Sequence, residues 1–134
     1  MNSTGVWCRD VIAIAALLCA SPALAQPADP VATIERAEAA MLDGKRDQAL
    51  RLAEQAAAPC MAPGPEAQAC IYVLDTAASA ANVLRRYDLA VRWFERSLAL
   101  SRETLGASHP ATVLGQSNYA LALRDAYRFA DATA

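Results

Sequence analysis

Apolar residues recur every three to four positions along this chain from Val31 onward, which is the pattern of helices with one buried side. The pattern predicts five helices, over residues 31–42, 46–58, 67–84, 89–105 and 111–126. No segment alternates with a period of two residues, so we expect no β-strand. The sequence therefore predicts an all-α domain built from antiparallel helix pairs.

Helix-breaking residues separate these segments. The stretch "DGK" follows the first helix, and Pro59, Pro63, Gly64 and Pro65 predict a stiff loop after the second. "RRY" marks a bend before the fourth helix, for which Asp88 is the expected N-terminal cap. "LGASHP" lies between the fourth helix and the fifth.

Small residues recur with a long period. The alanines that close "GKRDQA", "RRYDLA" and "YRFADA" are almost evenly spaced, at Ala49, Ala90 and Ala132. Mid-helix alanines repeat the same spacing, at Ala37, Ala78 and Ala120. A fixed period of about 42 residues is typical of helical repeat proteins, in which small residues let paired helices approach closely. The chain is predicted to hold about two and a half such units.

The segment "RRYDLAVRWFERSLALSRETLGASHPATVLGQSNYALALRDAYRFADA" resembles the long, kinesin-light-chain type of tetratricopeptide repeat. The "LG…HP" linker joined to "RYDLAVRWFERSLAL" is its most specific part. The resemblance covers residues 67–132 well and 31–58 weakly. It implies a short solenoid of stacked antiparallel helix pairs.

The only histidine of the chain, His109, falls in that linker. The resemblance implies a connecting role for it, with Gly106 ending one helix in a left-handed conformation and Pro110 opening the next. A catalytic histidine would need a nucleophile and an orienting group beside it, and the sequence offers no such set. We therefore expect no catalytic residue, no metal site and no cofactor.

The resemblance also implies a concave groove lined by the first helix of each unit. Its expected peptide- or protein-binding residues are Tyr72, Asp75, Ser79 and Asn82 on the third helix and Ser117, Asn118, Leu121 and Arg124 on the fifth. Leu114 joins them, together with Val31, Ile34, Glu38 and Met41 of the first helix. "QSNYA" keeps one of the family's paired asparagines, Asn118.

The N-terminal residues read as a secretory signal peptide. A start bearing Arg9, an apolar run over 11–20 and the small-residue motif "ALA" predict cleavage between Ala25 and Gln26. The run is about half the ~20 residues that a spanning helix needs, and a buried N-terminal helix is the alternative. We expect a signal peptide over 1–25, a flexible leader over 26–30 and the repeat domain over 31–134, in a bacterial periplasm or secreted.

The charge of the chain and its cysteines limit the kinds of partner and the chemistry that it can have. Residues 26–134 carry 11 basic and 13 acidic side chains without a basic block, which argues against nucleic acid as the partner. Cys60 and Cys70 remain after cleavage, and an oxidising compartment favours a disulfide between them. Two free thiols or a metal site are the alternatives.

These observations predict a non-enzymatic module that binds another protein or peptide. The alternative is self-association through an incomplete C-terminal repeat, whose apolar strip would include Tyr119, Leu123 and Tyr127, or a shortened relative of a larger repeat protein.

Overall fold

The computed structural model describes residues 28–64 and 66–132, with side chains as far as Tyr127. Five α-helices account for most of them: α1 (Pro30–Leu42), α2 (Arg46–Cys60), α3 (Ala67–Val83), α4 (Tyr87–Leu105) and α5 (Pro110–Ala132). Each helix packs against the next along the chain, and α1 also packs against α3. The prediction of an all-α domain of adjacent helix pairs is confirmed. The predicted signal peptide lies outside the described residues.

The start of α1 is capped. The Asp29 side chain accepts a 3.0 Å hydrogen bond from the Val31 N–H, and Pro30 occupies the first helical position.

The α1–α2 connection is a tight turn. Gly44, two residues after the end of α1, has φ 72°, and the Lys45 N–H donates to the Ala40 carbonyl at 2.9 Å. A residue with positive φ closes the helix here, as glycine commonly does.

The α3–α4 connection is equally short, but Arg85 takes the position with positive φ, at 61°. The Arg86 N–H donates to the Ala81 carbonyl at 2.8 Å. The prediction that Asp88 caps α4 is wrong: Arg86 precedes the helix, makes no side-chain cap bond, and Asp88 lies inside the first turn. The backbone bonds of the turn pair carbonyls at the end of α3, and no carboxylate caps the start of α4.

The end of α2 also differs from the prediction. The helix continues through Pro59 to Cys60 instead of stopping at Ala58. Pro59 has no N–H to donate to the Gln55 carbonyl, so it removes one helical hydrogen bond, and the helix ends one residue later, where the Met61 N–H donates to the Ala58 carbonyl at 3.3 Å. Cys60 forms the predicted disulfide with Cys70, with their Cα atoms 5.3 Å apart, and this bond ties α2 to α3.

The core lies between the helix pairs and is rich in alanine. Its large members are Ile34, Leu74, Trp93 and Phe94, which are at most 5% exposed. Trp93 and Phe94 stand at helical spacing from Leu98, a pattern that predicts core residues, and all three are buried. The many buried alanines allow the helix backbones to lie close together.

The helix α5 is longer than predicted. It runs without a break to Ala132, past the predicted end at residue 126. The stretch over 120–132 holds neither glycine nor proline and is rich in alanine, so its helix propensity is high.

Candidate functional site

The predicted groove is built on α3, which carries four of its residues. Tyr72 is 44% exposed and Ser79 is also exposed, while Asp75 and Asn82 are half-buried. The Ser79 hydroxyl donates to the Asp75 carbonyl oxygen at 2.8 Å, one helical turn earlier. Tyr72 is thus the large, exposed side chain among the four predicted groove residues of α3.

Tyr72 faces the acidic side of α1. Burial of the phenol raises its pKa above 10.0, and the negative charges of Glu38 and then Glu35 raise it further. A hydrogen bond with Thr76 acts in the opposite direction. The phenol therefore keeps its proton beside the α1 carboxylates, which give this surface its negative charge.

Asp75 points into the domain more than the prediction implied. Burial raises the pKa of its carboxyl, and a hydrogen bond with the Ser97 hydroxyl of α4 opposes that effect. Its Oδ1 atom is fully buried and has no hydrogen-bond partner. The Ser97 hydroxyl also lies 3.4 Å from the Ile71 carbonyl, a long contact that competes for the same proton. Asp75 is an incompletely satisfied polar group between α3 and α4.

Asn82 joins α3 to α5. Its Nδ2 donates to Oδ2 of Asp125 at 3.3 Å, while its Oδ1 is buried without a partner. Arg124 donates to the other Asp125 oxygen from Nε at 3.0 Å and from the guanidinium terminus at 2.8 Å. The predicted ligand arm Arg124 is therefore held by Asp125, a residue that the repeat pattern did not single out.

The remaining predicted groove residues divide by exposure. Leu121 and Leu114 are 47% and 62% exposed, and Asn118 is half-buried. The exposed Ser117 hydroxyl donates to the Val113 carbonyl at 3.3 Å. On α1, Glu38 is exposed, whereas Val31 and Met41 are half-buried. Ile34 is 0% exposed, so its predicted place in the groove lining is wrong.

A cleft that shares no lining residue with the predicted groove lies where α2 begins and α3 ends. Its volume is about 610 Å³, and its lining residues are Arg46, Asp47, Leu50, Val83, Leu84, Arg85 and Arg86. None of these residues is among the predicted binding residues. The available signal was the clustering of basic residues in both short turns, "GKRD" and "RRYD".

His109 caps α5. Its Nδ1 accepts a 3.2 Å hydrogen bond from the Ala111 N–H, and the imidazole is exposed. Accepting this bond assigns the imidazole proton to Nε2. Pro110 opens the helix as predicted, and α4 ends at Leu105. Gly106 has positive φ, 90°, but its ψ of 159° lies outside the left-handed helical region that we predicted.

Arg96 of α4 makes a structural contact with the end of α2. It is half-buried, and its guanidinium donates to the carbonyls of Cys60 and Ala62 at 3.3 and 3.4 Å. The Cys60 carbonyl belongs to the last turn of α2, where a cation is favourable, and Ala62 lies two residues beyond it. Arg96 thus fixes the disulfide-bearing end of α2 to α4.

Among residues 28–64 and 66–132, no group of three or more His, Cys, Asp or Glu side chains is arranged to hold a metal ion. In the same part of the chain, no helix has the length and apolar character to cross a membrane. No protein-family model matches the chain, and neither a curated protein nor a solved structure does.

Proposed function

We propose that this chain is a non-enzymatic protein-binding module of the tetratricopeptide-repeat type. One observation carries the proposal: all six buried positions of α2 recur in α4 at one constant offset in the sequence. They are Ala49, Leu52, Ala53, Ala56, Ala57 and Cys60, which correspond to Ala90, Trp93, Phe94, Ser97, Leu98 and Ser101. Two helices that bury the same face at the same spacing are what a repeated helix pair requires.

The two short turns support the same interpretation. Gly44 and Arg85, which are related by the same offset, have φ of 72° and 61°. The N–H groups of Lys45 and Arg86 donate to carbonyls five residues earlier, at 2.9 and 2.8 Å. The equivalence therefore extends from the buried faces to the backbone of the connections.

The packing of α1 against α3 supports a binding groove. In a solenoid of helix pairs, the first helices of successive units lie side by side and line the concave surface. Here α1 and α3 are in contact, and Asn82 of α3 reaches Asp125 of α5. Tyr72, Leu114 and Leu121 give that surface exposed aromatic and aliphatic groups, which protein-binding sites commonly use.

The Cys60–Cys70 disulfide supports an oxidising location. Together with the predicted signal peptide, it favours export to the periplasm or beyond the cell. The partner would then be another exported protein or peptide.

The test is retention of a partner by the immobilised protein, purified from cells that express the full chain. Envelope proteins that it retains are identified by mass spectrometry, and the affinity of each is then measured with purified components. A groove variant carrying Tyr72→Ala and Leu121→Ala should bind at least about ten-fold more weakly, since both side chains are exposed and their loss leaves the core intact. The matched control is Arg51→Ala with Glu54→Ala on the exposed side of α2, which should bind as the wild type does. A partner that both variants retain equally would contradict the groove as the binding face.

The second candidate function is self-association through α5. Leu123 and Tyr127 are 43% and 74% exposed on that helix, whereas Tyr119, predicted to join them, is half-buried against the core. The sequence offset between Ala90 and Ala132 makes Leu123 correspond to Ala81. Ala81 lies in α3 and is completely buried. Sedimentation over a range of concentrations tests this candidate. A Leu123→Glu variant should shift the equilibrium toward monomer, and a concentration-independent monomer would exclude it.

A further inference from the structure

Three guanidinium groups line the cleft between the start of α2 and the end of α3. Arg46, Arg85 and Arg86 face a single acidic side chain, Asp47, so the lining carries a net charge of +2. The whole chain, by contrast, has a net charge of −2. The cleft is therefore a local concentration of positive charge on an otherwise slightly acidic protein.

These arginines are not consumed by internal ion pairs. Among the described side chains, no carboxylate lies within 4 Å of Arg46 or Arg85, and Arg86 meets Asp88 at 3.6 Å in an exposed pair. An exposed pair of that length contributes little, so the Arg86 guanidinium can exchange partners at small cost. All three groups are available to a ligand.

The turn that carries two of them has a fixed backbone. Arg85 is held at φ 61° by the bond from its N–H to the Asn82 carbonyl at 3.1 Å, and Arg86 by its 2.8 Å bond to the Ala81 carbonyl. Arg46 begins α2, whose N-terminus has no side-chain cap, so the positive end of that helix adds to the field. The charges are thus attached to a fixed scaffold.

We propose that this cleft binds a segment of a partner protein that presents two or more carboxylates beside an aliphatic side chain. Planar guanidinium groups match carboxylates through paired hydrogen bonds. Leu50, Leu84 and Val83, which is 70% exposed, provide an apolar part of the lining for the aliphatic group. A volume of about 610 Å³ lies within the range of binding pockets, which is roughly 300–1,000 Å³. The site shares no residue with the predicted groove, so it adds a second, charge-selective contact surface.

The experiment uses protein purified from cells that express the full chain and a fluorescent, end-capped peptide of alternating Glu and Leu. The comparison peptide has Gln in place of every Glu. Fluorescence anisotropy at low salt should show the Glu peptide binding at least about ten-fold more tightly, since contacts between charged groups are worth more than neutral ones. Raising the salt concentration should weaken the binding of the Glu peptide and leave the binding of the Gln peptide nearly unchanged.

The variants separate the cleft from general charge effects. Arg85→Asn removes the guanidinium while keeping a residue that tolerates positive φ, and Arg46→Gln removes a second one at an exposed position. Each substitution should weaken the affinity for the Glu peptide by about ten-fold. Arg92→Gln, an equal change of charge on the exposed side of α4, should leave its affinity unaltered.

Two results would overturn the proposal, provided that circular dichroism shows the variants to be folded. One is equal binding of the two peptides by the wild type, including no binding of either. The other is an equal loss of affinity in Arg92→Gln and in the cleft variants. The Tyr72→Ala, Leu121→Ala groove variant should bind the Glu peptide as the wild type does, so failure of the groove and failure of the cleft are distinguishable.

Discussion

Replacing Asp75 by Asn is expected to stabilise the protein at neutral pH. The carboxyl is half-buried between α3 and α4, its Oδ1 has no partner, and the Ser97 hydroxyl is its hydrogen-bond donor. Asn keeps an oxygen that can accept the Ser97 hydrogen bond, but it no longer places a negative charge in this half-buried position, where an incompletely satisfied charge is costly. Because Asp75 is only partly buried, we expect the gain from removing the charge to be modest, about 1 kcal/mol. In a domain of this size, that gain corresponds to a rise in melting temperature of about 4 °C.

The gain should depend on pH in a defined direction. Burial raises the pKa of Asp75 above 3.8 in the folded state, so the folded protein holds this proton more tightly than the unfolded chain does. The wild type therefore loses stability as pH rises from about 3.8 through the raised pKa, and the loss is complete above it. Below 3.8 the carboxyl is neutral in both states, and the difference between Asp75→Asn and the wild type should vanish.

Urea unfolding followed by circular dichroism at pH 7 and pH 3 measures both effects. The matched control is Glu54→Gln, which neutralises an exposed acid in the middle of α2. It should show neither the stabilisation at pH 7 nor a dependence of stability on this charge. A variant that is less stable than the wild type at pH 7 would refute the reasoning. So would a stabilisation of the same size at both pH values, since it would not come from the charge.

Three further predictions concern stability and are measured by the same unfolding experiments. Replacing Cys60 and Cys70 by Ser should lower the free energy of unfolding by about 2.7 kcal/mol, which is the chain-entropy value for a sequence separation of 10. A loss below about 1 kcal/mol would contradict this prediction. His109→Ala should cost about 0.5–1 kcal/mol through the lost cap of α5, while His109→Asn should restore most of it; equal stability of the two variants would exclude a capping role. Arg85→Gly should raise the free energy of unfolding by up to about 1 kcal/mol, and Gly44→Ala should lower it by a similar amount, because both positions have positive φ. Changes of the opposite sign would contradict this prediction.

The helices and the core could be predicted from the sequence because their signals are local. Apolar residues at helical spacing place Trp93 and Phe94 inside, and short polar or glycine-bearing stretches separate the helices. The disulfide followed from cysteine count and expected compartment. Each of these inferences depends on residues near one another in the chain.

The wrong helix ends at Pro59 and Asp88 are local, but the features that the sequence did not reveal depend on distant contacts. Asp125 of α5 faces Asn82 of α3, and Asp75 faces Ser97 on the next helix, so neither environment is visible in the pattern of one helix. The arginine cleft is formed by two turns that lie far apart in the sequence.

In the proposed repeat, the offset of 41 residues that pairs α2 with α4 also pairs α1 with α3. The counterpart of Asp75 in the first helix pair is then Ile34, which is completely buried, and the counterpart of Ser97 is Ala56. Under this proposal, equivalent positions are apolar in the first pair and carry a carboxyl facing a hydroxyl in the second. Ionising a carboxyl at a position that an isoleucine can fill costs stability, which is why the neutral Asn is expected to be better tolerated.

The proposed groove and the proposed binding cleft differ in how their charges are satisfied, and we expect this difference to separate their contributions to binding. In the groove, Arg124 is paired with Asp125, and Asn82 donates to that same carboxylate, so a ligand must compete with existing bonds. In the cleft, Arg46 and Arg85 have no carboxylate within 4 Å among the described side chains. A ligand carboxylate that enters the cleft gains new hydrogen bonds without breaking comparable ones. Contacts in the cleft should therefore set charge selectivity and salt dependence, while the exposed Tyr72, Leu114 and Leu121 of the groove should supply binding that changes little with salt.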